Sequence, residues 1–104
     1  MTVGILSDLQ GPKIRIDKFK ENLIYLEEGA SFILDSTLDE NEGTIERVGI
    51  AYKELVNDVK AGDELLLDDG KVVLRVTEVT ETEVHTRVEV PGELSNRKGI
   101  NLKG

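Results

Sequence analysis

Alternation of apolar and polar residues in short runs is the feature that most constrains how this chain can fold. The sequence TEVHTRVEV, at residues 82–90, shows the pattern without interruption. One face carries Val84, Thr86, Val88 and Val90, and the other carries Glu83, His85, Arg87 and Glu89. A period of two residues is typical of a β-strand that buries one face, so the chain is predicted to be built from such strands.

Further runs predict more strands and the turns between them. Residues 63–79 read as a strand, an Asp-Asp-Gly turn and a second strand. Residues 22–29 and 31–35 are predicted to form another hairpin around Gly29. Single strands are predicted over 45–52 and 99–102, loops over 35–44 and 91–99, and a helical turn within 52–63.

The run KIRIDKF, at residues 13–19, predicts a strand that follows a Gly-Pro turn. Ile14 and Ile16 are expected to point one way, and Arg15 and Asp17 the other. The preceding run VGILSDL is apolar and reads as a buried parallel strand. Such a strand needs neighbours that the chain does not obviously supply, which suggests a piece of a larger α/β protein.

Roughly seven to nine short strands predict an all-β fold, a small barrel or sandwich. The length of 104 residues predicts one domain. Because only 4% of the residues are aromatic, the core is expected to consist of Val, Ile and Leu.

Charge and composition exclude several classes of partner. The chain has 13 Lys and Arg against 21 Asp and Glu, a net charge of −8, which disfavours nucleic acid and anionic membranes. The sequence contains no cysteine, no apolar run long enough to span a bilayer and no signal-peptide pattern. An anionic ligand is expected only where a few basic residues converge.

A few polar residues could carry a function, although each also has an ordinary structural reading. Arg15 is either a solvated strand residue or a contact for phosphate or carboxylate, which a guanidinium binds in a planar fork. Lys98 lies in the donor-rich loop SNRKG and could contact an anion. Asp68 and Asp69 read as hairpin-turn residues that could also face a hard cation. His85 is expected to be a surface residue.

Three stretches, taken in order, resemble the pyruvate kinase family. They are DLQGPKIR at 8–15, LLLDDGKVVL at 65–74 and LSNRKGINL at 94–102. The resemblance covers essentially the whole chain and matches one part of the enzyme, the B domain or mobile lid. In the family this domain is an irregular β-barrel inserted in a (β/α)8 barrel. The resemblance implies a single domain over 1–104, with 1–10 and 100–104 as the edges that join the barrel.

The resemblance also implies roles for individual residues. Arg15 and Lys98 match residues that bind the nucleotide phosphates, and Asp69 matches an aspartate on the metal-nucleotide side of the cleft. Asp8 matches a side-chain ligand of the monovalent cation, and Leu9 would offer its backbone carbonyl to the same ion. The implied cofactors are Mg²⁺ or Mn²⁺ and K⁺ in the parent enzyme, with none bound tightly to the isolated domain.

The implied function is that of a lid over a cytoplasmic glycolytic enzyme that transfers a phosphoryl group from phosphoenolpyruvate to ADP, giving pyruvate and ATP. The implied partners are ADP or ATP, phosphoenolpyruvate through the parent enzyme, and the missing barrel domain. The isolated chain is expected to be inactive, because the family's catalytic residues belong to that barrel. The alternative hypothesis is a stand-alone β-barrel binding module without an enzymatic parent.

Overall fold

The computed structural model describes residues 14–103, which form nine β-strands and one short helix. Asp8, Leu9 and the run VGILSDL lie outside the described residues. In chain order the elements are β1 (Ile14–Arg15), β2 (Leu23–Leu26), β3 (Ser31–Asp35), β4 (Arg47–Gly49), α1 (Leu55–Asp58), β5 (Glu64–Leu67), β6 (Val72–Val79), β7 (Glu83–Val90), β8 (Gly92–Ser95) and β9 (Gly99–Lys103).

Seven of these strands form one curled sheet in the order β1-β9-β5-β6-β7-β3-β4. All neighbours are antiparallel except β3 and β4, which run parallel. The two edge strands are brought together where Ile16, just after β1, forms an antiparallel bridge to Ile50, just after β4. Two irregularities in the β6–β7 pairing increase the local twist and help the sheet to curl. The prediction of a small all-β barrel is confirmed.

The curled sheet encloses an almost entirely aliphatic core. The pattern predicted for β7 holds at Val84, Thr86 and Val88, which are buried, whereas Val90 is 43% exposed at the strand end. Two aromatic side chains, Phe19 and Phe32, join the aliphatic residues in the core. The remaining buried apolar residues are Ile16, Leu26, Leu34, Val48, Ile50, Leu55, Val59, Leu65, Leu67, Val72, Leu74, Val76, Val84, Val88, Leu94 and Ile100.

The hairpin predicted around Gly29 is wrong. Gly29 does lie in a turn with a φ of 84°, but β2 and β3 do not pair with each other. Instead, β2 pairs with β8 in a separate two-stranded sheet, in register from Leu23 with Ser95 to Leu26 with Gly92. The predicted loop over 91–99 therefore contains a strand, and only residues 96–98 remain as a turn.

The hairpin predicted over 63–79 is confirmed. Strands β5 and β6 pair from Leu67–Val72 to Glu64–Arg75. Asp68, Asp69 and Gly70 form the turn, all with positive φ, at 54°, 59° and 88°. Asp and Gly tolerate this left-handed backbone better than most residues, which is the physical basis of the prediction.

Asp17 is buried, so the expectation that it points outward with Arg15 is wrong. Strand β1 ends at Arg15, and residues from three other segments hydrogen-bond to the backbone that follows it. Asp17 keeps only 4% of its surface exposed, and no side-chain hydrogen bond to it occurs within residues 14–103. Burial raises the pKa of Asp17, an effect that Lys53 and Arg97 oppose and Glu40 reinforces.

Asp35 is the second buried acid, and unlike Asp17 it is fully bonded. Its Oδ1 accepts hydrogen bonds from the backbone N and the Oγ1 of Thr37, at 2.9 and 2.7 Å. Its Oδ2 lies 2.7 Å from Nη1 of Arg47, which also contacts Glu83 at 3.1 Å. Burial alone would raise the pKa of Asp35, but the bonds from Thr37 and Arg47 outweigh it and lower the pKa.

We expect Asp35→Asn to destabilise the fold by about 2 kcal/mol at pH 7, since it removes charge-assisted hydrogen bonds. A carboxyl group whose pKa is lowered by folding stabilises the protein above its unfolded pKa and loses that effect as the pH falls through the native pKa. The loss of stability in the Asp35→Asn variant should therefore become smaller once the pH falls below 3.8, the ordinary pKa of an aspartate. Urea unfolding at several pH values measures it, with Asp39→Asn in the exposed loop as the control. An Asp35 variant as stable as this control would contradict the assignment.

Asp17→Asn should have the opposite effect and stabilise the fold at pH 7 by about 1 kcal/mol, the usual scale of single substitutions. The native pKa of Asp17 is raised, so the stability of the wild-type chain falls as the pH rises from the unfolded value of 3.8 through the native value. The Asn variant should lack this component of the decline, which the same urea series measures. A loss of stability comparable with that of Asp35→Asn would show that the buried charge of Asp17 is compensated.

Candidate functional site

Three candidate residues converge around Gly99, at the start of β9. Arg15 pairs directly with Gly99 across the β1–β9 ladder, and Lys98 precedes Gly99 in the chain. On the other side of β9, the backbone N of Asp68 donates to the carbonyl of Gly99 at 3.1 Å. We call these three residues, Arg15, Lys98 and Asp68, together with Asp69, the next residue of the turn, the Gly99 cluster. Backbone pairing thus brings together Arg15 and Gly99, which are 84 positions apart in sequence, and Asp68 and Gly99, which are 31 apart.

The guanidinium of Arg15 is exposed and keeps its charge free of a carboxylate. Its Nη1 donates to the backbone carbonyl of Arg97 at 3.2 Å, and within residues 14–103 no acid forms an ion pair with it. Arg47 and Arg75 differ, because each contacts two carboxylates. A guanidinium that is oriented by a neutral oxygen remains available for an anion.

Lys98 contacts the acid that the sequence interpretation did not favour. Its Nζ lies 3.8 Å from Oδ1 of Asp68, a long and partly exposed ion pair. Exposed pairs of this kind contribute little stability and are easily displaced. Asp69 is exposed at the tip of the turn. The cluster therefore presents two cationic side chains next to one exposed carboxylate.

Asn96 is a structural residue of this site that sequence reasoning missed. Its Oδ1 accepts from the backbone N of Phe19 at 2.8 Å, and its Nδ2 donates to Oδ1 of Asn22 at 3.1 Å. These bonds tie the 96–98 turn to the segment that follows β1. Asparagine between two short strands is a turn signal, but its partners, 77 and 74 positions away, cannot be read from sequence.

The backbone at Gly99 is open toward the outside. Within residues 14–103, and apart from the two chain neighbours of Gly99, a methyl group built there would meet no atom closer than the carbonyl oxygen of Ile14, at 3.9 Å. Gly49, near Asp17, differs: a methyl group there would lie 2.7 Å from Oδ2 of Asp17. Packing explains the glycine at 49, whereas the glycine at 99 leaves space from which a ligand could approach.

The described part of the chain does not form a metal site of its own. Within residues 14–103, no group of three or more His, Asp or Glu side chains could hold an ion. Asp8 and Leu9, the residues implied for the monovalent cation, lie outside that range. His85, on β7, is partly buried, with Nε2 2.8 Å from Oε1 of Glu83. It lies away from the Gly99 cluster, since β5 and β6 separate β7 from β9.

In the part of the chain that the structure describes, no helix has the length and apolar character needed to cross a membrane. The only one, α1, has four residues.

Comparisons with known proteins converge on one family. The family model described as pyruvate kinase, barrel domain, matches residues 1–104. A pyruvate kinase from Buchnera aphidicola subsp. Acyrthosiphon pisum is 56% identical over 102 residues, and one from Haemophilus influenzae is 55% identical over 103 residues. They match 98% and 99% of this chain. A crystal structure of a pyruvate kinase from Cryptosporidium parvum superposes on 91% of the chain with a TM-score of 0.85 at 25% identity.

These matches also define how much of the relatives the chain represents. It spans 21% of the Buchnera protein, 22% of the Haemophilus protein and 19% of the chain in the Cryptosporidium structure. The family model covers the entire sequence, and the fold of the matched region agrees with a solved relative. The chain belongs to the pyruvate kinase family.

Proposed function

We propose that this chain is the lid domain of a pyruvate kinase and that its Gly99 cluster contacts the phosphates of ADP and ATP. The observation that carries the proposal is that Arg15 pairs with Gly99 across the β1–β9 ladder, while Lys98, the residue before Gly99, contacts Asp68 on the β5 side. The chain has a net charge of −8, and two cations that lack a strong carboxylate partner within residues 14–103 would form a local anion-binding surface on it.

The arrangement of β1 and β9 supports the placement as an insertion in a barrel. These strands carry the first and the last described residues and are antiparallel neighbours, with Ile14 opposite Ile100. A domain inserted in a longer chain needs its two connections close together. The Gly99 cluster lies between these same strands and β5, so the nucleotide-binding surface would face the domain to which the lid is joined.

Phosphoryl transfer from phosphoenolpyruvate to ADP requires little covalent chemistry from the protein and depends on positioning and charge neutralisation. The contribution of this chain would be electrostatic. Arg15 would bind phosphate oxygens through its planar fork, and Lys98 would exchange its 3.8 Å contact with Asp68 for a phosphate. Closure of the lid would exclude water and strengthen both interactions.

The divalent ion would arrive with the nucleotide. Mg²⁺ or Mn²⁺ bound to the nucleotide would neutralise charge on its phosphates, and the exposed carboxylate of Asp69 fits a place on that side of the ligand. K⁺ would be held by the side chain of Asp8 and the carbonyl of Leu9. Phosphoenolpyruvate would be bound by the barrel domain of the parent enzyme, which we place in the cytoplasm.

The first test is an NMR titration of the ¹⁵N-labelled chain with Mg-ADP. We expect a dissociation constant on the order of millimolar, with shifts centred on Arg15, Lys98 and Asp69, because a few exposed charges provide little net affinity. Arg15→Gln and Lys98→Gln should each weaken binding about fivefold. Arg87→Gln, which removes an exposed cation from β7, is the control with the same change in net charge.

Two results of the titration would contradict the proposal. Equal weakening by all three variants would mean that only net charge matters and would contradict a specific site. Shifts centred on another face would assign nucleotide binding to residues outside the Gly99 cluster.

A second test examines the lid in a complete enzyme. The segment of the Haemophilus influenzae pyruvate kinase that matches this chain at 55% identity would be replaced by residues 1–104. We expect the chimera to be active and the isolated chain to show no turnover, because the barrel supplies the remaining catalytic groups. In the chimera, Arg15→Gln should lower kcat/KM for ADP by about tenfold or more, whereas Arg87→Gln should leave it unchanged. An isolated chain that produces pyruvate would overturn the lid assignment.

A further inference from the structure

We infer that Arg97 is a positioning residue whose left-handed backbone aims its carbonyl oxygen at Arg15 and so orients that guanidinium for the phosphate. The inference rests on the proposed function of Arg15. It assigns a role to the backbone conformation at position 97, which neither the sequence motifs nor the family match assigns. Arg97 would act through Arg15 and need not touch the ligand itself.

The conformation at Arg97 is unusual for its residue type. Its φ is 58°, in the left-handed region that glycine and asparagine enter far more readily than arginine. Residues held in this region are retained when surrounding contacts fix them, and they concentrate at functional sites. The backbone strain at Arg97 therefore suggests that this conformation of the turn has a function.

Three hydrogen bonds hold the turn against the segment that follows β1. The backbone N of Arg97 donates to the carbonyl of Asp17 at 3.2 Å, and the carbonyl of Lys98 accepts from Ile16 at 3.0 Å. The side chain of Asn96 accepts from the backbone N of Phe19 at 2.8 Å. The carbonyl of Arg97 is thereby fixed relative to β1, where Nη1 of Arg15 reaches it at 3.2 Å.

A carbonyl oxygen orients the guanidinium without neutralising it. Arg47 and Arg75 are oriented by carboxylates, which also consume their charge. Among residues 14–103, Arg15 makes one side-chain bond, to a neutral acceptor, which leaves its other donors for an anion. Ordering an arginine side chain before the ligand arrives reduces the entropy lost on binding.

Substitutions at position 97 can separate backbone conformation from charge. Arg97→Gly removes the charged side chain, and glycine adopts a positive φ without strain. Arg97→Asn also removes the charge, and asparagine tolerates a positive φ better than most residues that have a side chain. Arg97→Val removes the same charge and strongly disfavours that conformation. Arg97→Ala disfavours it less and serves if the valine variant does not fold.

The control for general strain is Gly62→Val. Gly62 also has a positive φ, of 100°, and a methyl group built there would meet no atom of the described part of the chain within 4 Å, its two chain neighbours aside. It precedes β5 at the end opposite Asp68, roughly 20 Å away along the strand. Valine is disfavoured at this φ at least as strongly as at position 97, so the substitution imposes at least as much backbone strain, and it does so outside the 96–98 turn.

The experiment measures two properties of the folded 104-residue chain and its variants. The first is the ¹⁵Nε order parameter of the Arg15 guanidinium without ligand, and the second is the affinity for Mg-ADP and for inorganic pyrophosphate. We expect the Gly and Asn variants to retain the order of Arg15 and to lose at most about twofold in affinity. The Val or Ala variant should release Arg15 and weaken binding about fivefold, while Gly62→Val changes neither.

The two readouts distinguish this inference from the proposed function. If Arg15 stays ordered in Arg97→Val or Arg97→Ala, the inference is overturned, regardless of how the affinity for Mg-ADP changes. An equal loss of affinity in the Gly and Val variants also overturns it, since the side-chain charge would then be responsible. If Arg15 is released as expected but the wild-type chain binds neither ligand, the positioning role is supported and the proposed nucleotide contact of the isolated chain fails.

Discussion

The bridge between Ile16 and Ile50 is the constraint on which the rest of the structure depends. It joins the two edges of the seven-stranded sheet, so that β1 and β4 meet although they stand at opposite ends of the strand order. The backbone bonds from Asp17 to Gly49 and from Ala51 to Arg15 flank the bridge and complete the closure. Without this closure, the two-residue strand β1 would be held in the sheet on the β9 side alone, and the backbone of Arg15 would be positioned less firmly.

Charge is distributed over this closed sheet in two ways. On the sheet, Arg47 and Arg75 are each bonded to two acids, which fixes their side chains and cancels their charge. Around Gly99 the cations have weaker partners, a carbonyl for Arg15 and a distant carboxylate for Lys98. An acidic protein can attract an anion only at such a place, so the difference in pairing is what separates structural from candidate functional cations.

The sequence interpretation was accurate where the interacting residues are close in sequence and failed where they are far apart. The β5–β6 hairpin and the buried face of β7 were predicted correctly, because a turn and an alternating pattern are local properties. The β2–β8 sheet was missed, since Leu23 pairs with Ser95 and no local signal announces a partner so far along the chain. Asp17 was assigned to the wrong face because strand β1 stops at Arg15, where alternation ceases to apply.

The sequence by itself determined the fold class, the strand-forming runs, the Asp-Asp-Gly turn and, through its motifs, the family and the candidate residues. Tertiary structure decided which of those residues lie close together and which hydrogen-bond or ion-pair partner each of them has. The carbonyl of Arg97 reaches Arg15 across 82 positions, and Lys98 pairs with Asp68 in place of Asp69. The physical reason is that closing a sheet fixes distances between backbones that are remote in sequence, whereas residue type and spacing encode only the local conformations from which the sheet is assembled.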